Sequence, residues 1–293
     1  MTARVRLVAT DASAAGPLVA PFDEQTRFDV ARGARRLFAV RRTPEDDVVG
    51  SAVLGGGELD LHIAPEFRTR GFGADAAQHL LERAGDGRLT AWSHGDHPAA
   101  RSLARRFGFR AVRTLLELEL VFADPPADRA APASGTPAVA PEAAPGEVTI
   151  DAFRPGADED GWLALNARVF ARHPEQGRLT RADLDQRMAE PWFDPADFLV
   201  ARDADGTMIG FNWLKVEPGG TEGEIYVIGV APEAAGRGLG RKLMNRGLQR
   251  LRERGCTSAE LYVEGDNAAA VHLYRSLGFT DRAVHVQYER APA

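Results

Sequence analysis

The sequence predicts an α/β (α+β) fold in two tandem copies, each a mixed twisted sheet flanked by helices. Three observations carry this. An apolar run over 225–230 leads to a Gly-rich turn, Gly236-Arg237-Gly238-Leu239-Gly240. After it Met244, Leu248 and Leu251 recur at i, i+4 and i+7, the period of an amphipathic helix. The same device occurs earlier as Arg68-Thr69-Arg70-Gly71-Phe72-Gly73, again after an apolar run and an Ala-Pro. A second matched block then follows each copy: Gly95-Asp96-His97-Pro98-Ala99-Ala100 leads to Phe107-Gly108-Phe109, and Gly265-Asp266-Asn267-Ala268-Ala269-Ala270 leads to Leu277-Gly278-Phe279. The chain is an internal duplication.

In chain order, the first copy runs to about Val121. Residues 31–38 lead into a strand at 37–40, 47–54 give another, and Gly55-Gly56-Gly57 reads as a hairpin turn before a strand at 59–63. Phe72, Ala76, Leu80 and Ala84 lie on one helix face. Residues 89–92 form a strand and 99–107 a helix. Leu116, Leu118 and Leu120 alternate with Glu117 and Glu119, the period of a half-buried strand. Residues 122–146 are Ala/Pro-rich and nearly lack large apolar groups. They cannot bury enough surface to offset their ordering entropy, and read as a linker, extended where prolines cluster.

The second copy spans 147–293. A helix is expected over 158–170 with Trp162, Leu165, Val169 and Phe170 inward, broken by His173-Pro174-Glu175-Gln176-Gly177. Thr180 can cap the next helix, with Asp183 in its first turn. Strands at 198–202 and 208–216 flank the Asp205-Gly206 turn. The 225–230 strand, the Gly-rich turn and its helix come next. A strand at 259–263, a helix at 268–277 and the alternation of Val284, Val286 and Tyr288 complete the copy.

At 293 residues the chain suits two domains of ordinary size, and 44% hydrophobic with 27% charged residues is a globular composition. A net charge of −6 argues against a nucleic-acid partner, because phosphate backbones reward clustered positive charge. Cys256 is the only cysteine, so no intrachain disulfide forms, and a reducing compartment is expected, with the thiol inert near a helix end. No apolar run has signal-peptide or membrane-spanning length. The expectation is a cytoplasmic monomer acting on a small molecule, with no membrane partner.

A strand that runs through glycines into a helix leaves several backbone N–H groups without partners, all pointing one way. Those donors and the positive helix end make a phosphate cradle, which glycine lets a ligand approach closely. Arg237 and Arg241 add positive charge beside it. One such turn alone would be weak evidence, since tight turns need glycine anyway; the repeat lifts it.

The order strand, R/Q-x-x-G-x-G/A turn, helix, strand, then N-x-x-A-x-x-x-Y-x-x-x-G-F helix resembles the Gcn5-related N-acetyltransferase superfamily. The likeness covers nearly everything outside the linker. It implies acetyl-CoA as co-substrate, its pyrophosphate on the turn and its pantetheine arm along the splayed strand before it. In the first copy the resemblance points to Leu61, His62 and Ile63 on the strand, with Arg68, Thr69, Arg70, Gly71, Phe72, Gly73 and Ala74 at the turn. In the second it points to Ile228, Gly229 and Val230, then Ala235, Gly236, Arg237, Gly238, Leu239, Gly240 and Arg241, with Asn267, Ala268, Ala269, Ala270, Val271 and His272 at the following helix. One departure is Ala235, where the motif usually has Gln or Arg; it contributes mainly a backbone N–H.

Stretches 21–25, 91–100, 170–177, 190–195 and 223–230 are more idiosyncratic. They resemble tandem members of the superfamily that acetylate the cysteinyl amine of cysteinyl-glucosaminyl-inositol. This implies that small molecule as acceptor, and places Glu24, Glu175, Lys215, Glu224 and Tyr262 around it. Lys215 is one of only two lysines in the chain, a hint that a compact ammonium is wanted. The motif itself is silent on the acceptor. It leaves open another amine, such as an amino acid or an aminoglycoside, and an acyl-CoA-binding module without turnover.

Acetyl transfer from a thioester to an amine needs a neutral amine and a proton for the departing thiolate. An α-amino group, with pKa about 8, arrives mostly protonated. Glu224 is the candidate base, directly or through water, and Tyr274 the candidate proton donor to the thiolate. Away from the motif, Glu224 would read as a solvated strand-end carboxylate. Tyr274 also fits the packing period of Ala270, Leu273 and Leu277, and a phenol can do both. Alignment of the copies puts Gly57 opposite Glu224 and Ala104 opposite Tyr274; Glu58 is one residue late and points to the other face. The first copy (1–121) is therefore expected to bind acetyl-CoA without catalysing, and the second to catalyse. His94-Gly95-Asp96-His97 aligns with an ordinary strand-to-helix turn and has no evident third ligand, so no metal is expected.

Overall fold

A computed structural model describes residues 4–10, 16–122, 148–171 and 176–292. The linker beyond Phe122 and the candidate Glu175 lie outside the described residues. In chain order the elements are β1 (Val5–Thr10), α1 (Gly16–Val19), α2 (Glu24–Ala31), β2 (Arg36–Arg42), β3 (Val48–Gly55), β4 (Glu58–Ile63), α3 (Phe72–Ala84), β5 (Leu89–Ser93), α4 (Pro98–Arg106) and β6 (Arg110–Val121). They continue as β7 (Thr149–Ala152), α5 (Glu159–Val169), α6 (Arg181–Met188), β8 (Phe198–Arg202), β9 (Met208–Lys215), β10 (Glu222–Val230), α7 (Leu239–Glu253), β11 (Ser258–Glu264), α8 (Ala268–Ser276) and β12 (Thr280–Arg290). Every element read from periodicity is present. β1, α1, α2 and β7 were not anticipated, and α2 has almost no apolar face to betray it.

Contacts divide the chain into two units. The first comprises Met1–Leu116, Glu264–Asp266 and Ala283–Ala293. Its strands run β1-β2-β3-β4-β5 and end with the C-terminal part of β12. The first four pair antiparallel, and Gly55, Gly56 and Gly57 turn β3 into β4 at φ values of +154°, +60° and +81°. The sheet is covered on both faces, so apolar side chains run continuously rather than alternating. Phe38, Val40 and Ala52 pack under α3 with Phe72, Ala76 and Leu80, while Leu37 and Val53 pack with Val30 of α2.

The second unit comprises Glu117–Val263 and Asn267–Arg282. Its strands run β7-β8-β9-β10-β11 and end with the last residues of β6. Its core is aromatic. Phe198 stacks between Phe153 at 4.3 Å and Trp213 at 4.4 Å, and Trp162 meets Phe198, Phe211 and Trp213 edge-on. Each such side chain contributes roughly 1.5–3 kcal/mol by burial, with the stacking geometry adding to it. Thr180 and Asp183 form the capping box that starts α6. Cys256 is 6% exposed and burial pushes its thiol pKa up, as an inert thiol requires.

The units share most of their residues with the contiguous copies expected at 1–121 and 147–293. They differ in that residues 117–121 join the second unit and 264–266 and 283–293 the first. One expectation is corrected: half-buried alternation would leave Glu117 on the polar side of β6, yet it is 9% exposed, held in an ion pair with Arg282.

Candidate active site

The second Gly-rich turn is built as a cradle. Pro232–Ala234 make a single 3-10 turn, Ala235 is extended, and Gly236 and Gly238 adopt φ of +76° and +79°. A Cβ on either glycine would meet nothing within 4 Å, so the left-handed backbone, and not crowding, requires glycine there. Gly238 caps α7 without a side-chain hydrogen bond, and residues 235–238 are exposed. The first-turn N–H groups therefore face solvent, ready for an anion. Arg237 is exposed beside them. Arg241 instead donates from Nη2 to Ser276 Oγ at 2.6 Å, bracing α8 against the start of α7. Asn267 caps α8 by accepting from Ala270 N at 3.2 Å, with 268–272 on its exposed or half-buried first turns.

The strand before the turn opens beside the cradle. β10 and β11 pair in parallel from Glu222↔Ser258 to Ile225↔Leu261, and there the ladder ends. β10 nevertheless runs on to Val230 and β11 to Glu264. Ile228, Gly229 and Val230 thus offer a backbone edge between diverging strands, fitted to an extended amide-bearing arm. A bulge between Ile225 and Val227 on the β9 side re-aims this strand. Gly229 is fixed by packing, since a Cβ there would lie 2.8 Å from the Phe211 ring. The cradle, the uncapped helix and the splayed strand together fit a pyrophosphate-bearing thioester such as acetyl-CoA.

Three sequence candidates meet on this sheet. Glu224 is the cross-strand partner of both Lys215 on β9 and Glu260 on β11, and Tyr262 follows Glu260 on the same face. The Lys215 ammonium lies 3.3 Å from Glu217 Oε1, and 5.2 Å and 5.7 Å from the ring centres of Trp192 and Tyr226. Tyr226 Oη accepts a hydrogen bond from Arg187 Nε at 3.0 Å. Tyr262 as a whole is 43% exposed; desolvation of its hydroxyl, and after it the carboxylates of Glu260, Glu117 and Glu224, raise its phenol above the ordinary value. Burial first, and then Glu222, raises the Glu260 carboxyl. Trp192, Tyr226, Arg187, Glu260 and Arg282 escaped the sequence reading. Trp192 and Tyr226 lie within the idiosyncratic stretches 190–195 and 223–230 but were given no role there, and Arg282 shares the parity of Val284, Val286 and Tyr288.

Tyr274 on α8 is 7% exposed, and burial alone pushes its phenol up to about 12. Its helix reaches the end of β10: a Cβ on Gly240 would lie 3.6 Å from Leu273 and 3.9 Å from Val230. Glu24 is a half-buried residue in the first turn of α2, in the first unit.

The first copy keeps the turn with different fittings. Gly71 caps α3 at φ +89° without a side-chain bond, and Thr69 is also left-handed at +62°. Arg68 Nε donates to Ile63 O at 2.9 Å, Arg4 Nη1 donates to Arg70 O at 2.9 Å, and Arg4 N donates to Asp75 at 3.0 Å. Burial and then Arg68 lower the His62 imidazole. The β4–β5 ladder is even shorter, Glu58↔Thr90 and Leu59↔Ala91. A cavity of about 100 Å³ opens there, lined by Leu59, Leu61, Ala104, Phe107 and Phe109 among others. Gly57 lies in the hairpin turn and Ala104 on the cavity wall, where the second copy has Glu224 and Tyr274. Glu58 is engaged elsewhere, 3.1 Å from Arg35.

His94–Asp96 form a one-turn 3-10 helix, and His97 caps α4 by accepting from Ala99 N at 3.1 Å. Among the described residues no group of three or more His, Cys, Asp or Glu is placed to hold a metal ion. No helix among them is long and apolar enough to cross a membrane.

The sequence matches the acetyltransferase (GNAT) family over residues 13–109 and 165–279. It is 44% identical over 289 residues to a mycothiol acetyltransferase of Clavibacter sepedonicus, covering 97% of this chain and 91% of that protein. A mycothiol acetyltransferase of Thermobispora bispora is 43% identical over 298 residues, covering 97% and 94%. A tandem GNAT protein from the clavulanic acid biosynthesis pathway superposes with a TM-score of 0.69 at 19% identity, covering 99% of both chains. A GCN5-related N-acetyltransferase from Sphaerobacter thermophilus gives 0.66 at 20% identity, covering 98% and 95%. These two likenesses concern the fold alone. With both copies matched and relatives similar along nearly the whole length, the chain belongs to the GNAT acetyltransferase family.

Proposed function

We propose that this chain transfers the acetyl group of acetyl-CoA to the cysteinyl amine of cysteinyl-glucosaminyl-inositol, the last step in making mycothiol, and that the second unit catalyses it. The observation that carries the acceptor is the 44% identity to mycothiol acetyltransferase over 97% of the chain. The fold alone serves many acceptors.

Acetyl-CoA, when bound, supplies an activated acyl carbon. The rest is done by this chain. The N–H groups after Gly236 and Gly238 hold the pyrophosphate, and the free edge of Ile228–Val230 orients the arm. Glu224 takes a proton from the acceptor's ammonium, leaving a neutral amine to attack. Tyr274 keeps its proton at neutral pH. A phenol at about 12 is a poor acid toward a thiol of about 8.5, so its role is to donate a hydrogen bond toward the departing sulfur; as the N–C bond forms and the C–S bond breaks, the second proton shed by the nitrogen balances the one the thiolate takes up. Lys215 and Tyr262 bind acceptor hydroxyls, with Glu24 and Glu175 assigned to the same acceptor by resemblance. The first unit, with Gly57 and Ala104 at the two reactive positions, holds acetyl-CoA without turning it over.

The test is release of free CoA thiol from acetyl-CoA with cysteinyl-glucosaminyl-inositol, free cysteine and an aminoglycoside as parallel acceptors. Release selective for the pseudo-disaccharide, and lost in Glu224→Gln, is expected. Equal release with the other amines overturns the acceptor assignment and leaves the acetyltransferase standing.

A further inference from the structure

Three strands of the second unit converge on one guanidinium. Arg282 Nε lies 3.0 Å from Glu117 Oε1 on β6, and its Nη1 lies 2.5 Å from Glu222 on β10 and 2.7 Å from Glu260 on β11. Glu222 and Glu224 share a face of β10, two residues apart and ahead of the bulge, and Glu260 is the cross-strand partner of Glu224. A base flanked by carboxylates holds its proton to higher pH, because each neighbouring negative charge disfavours a further one. Among the described groups beside Glu224 are its cross-strand partners Lys215 on β9 and Glu260 on β11, Glu222 on its own strand and Tyr262 on β11, while Glu117 and Glu119 from β6 and Arg282 from β12 act on the neighbouring Glu260. The carboxylates outnumber the cations in this set. Arg282 touches three of them at once.

We propose that Arg282 is a positioning residue for the acetyl transfer: it holds Glu117, Glu222 and Glu260 in ion pairs, and its charge keeps that row from raising the pH at which Glu224 accepts the amine proton. This rests on the reading of Glu224 as the base. The ammonium of the acceptor, a single cation entering beside Glu224, is then bound by a surplus of negative charge that Arg282 limits.

The experiment is the pH dependence of kcat/KM, measured by CoA thiol release in the full-length chain. In Arg282→Gln the acid limb is expected to move up by about 0.5–1 pH unit, a size set by charges several ångströms apart in a half-exposed setting. Activity then falls more at pH 6 than on the high-pH plateau. Arg282→Lys, which restores the charge, returns the limb toward wild type. Glu260→Gln, which removes one carboxylate, moves it down and supplies the test if Arg282→Gln does not fold. A uniform loss at every pH, or unmoved limbs in both Arg282→Gln and Glu260→Gln, overturns the proposal. The base assignment is judged separately in the same assay: Glu224→Gln that still turns over sinks it, whereas unmoved limbs with an inactive Glu224→Gln sink only the role of Arg282.

Discussion

Glu224 and Glu260 stand opposite each other across the parallel strands β10 and β11, and the ladder joining those strands ends one residue later, at Ile225 and Leu261. The candidate base therefore sits at the mouth of the splay that would receive the thioester arm. General-base removal contributes about 10²–10⁴ in rate. Glu224→Gln is expected to lower kcat by that factor with little change in acetyl-CoA affinity, checked by steady-state kinetics and calorimetry. A loss confined to acetyl-CoA affinity would contradict it.

Tyr274 gives a prediction in the other direction of pH. Burial raises its phenol to about 12, so it holds its proton throughout the neutral and mildly alkaline range. No loss of activity from this group is expected below about pH 11, as far as the protein stays folded. Tyr274→Phe should lower kcat roughly 10–100-fold without changing the shape of the profile up to pH 10. An alkaline limb near pH 9 that vanishes in Tyr274→Phe would mean the hydroxyl titrates far lower.

The two glycine caps separate the copies. Gly238 and Gly71 both have left-handed backbones, at φ +79° and +89°, so alanine at either costs about 1–2 kcal/mol of local strain. Gly238→Ala is expected to raise KM for acetyl-CoA about tenfold. Gly71→Ala should instead weaken the other acetyl-CoA site seen by calorimetry, with KM unmoved. A reversed pattern would place catalysis in the first copy.

Stability below pH 4 should depend on Asp158. It is 3% exposed. Burial opposes its charge, but hydrogen bonds from the Arg154 side chain and backbone and from Arg202 prevail and hold its carboxyl below the usual range. A folded value below the unfolded one adds stability that is present above about pH 4 and lost as pH falls through the folded value. Asp158→Ala is expected to cost about 2–3 kcal/mol at pH 7, since it leaves the Arg202 charge without this acceptor. In urea titrations the gap to wild type should narrow at pH 3; an equal gap at both values would show that packing dominates.

What the sequence determined by itself is what is local or repeated. Apolar periods placed the strands and helices, glycines at Gly71, Gly236 and Gly238 marked the cradles, and the motif offered Glu224 and Tyr274 as candidates, with Gly57 and Ala104 opposite them in the first copy. The turns at Gly55-Gly56-Gly57 and Asp205-Gly206 announced the β3–β4 and β8–β9 hairpins; tertiary structure decided the remaining pairings. The period of β6 and β12 says which face is apolar but nothing of the neighbour, so the joining of residues 117–121 to the second unit and 283–293 to the first was not legible. The same holds for the surroundings of Glu224. Lys215 was placed near it by resemblance, but Arg187, Trp192, Tyr226, Glu260 and Arg282 lie far apart in the chain, and cross-strand register, set by hydrogen bonding between distant residues, is what gathers groups such as Glu260 and Lys215 about Glu224.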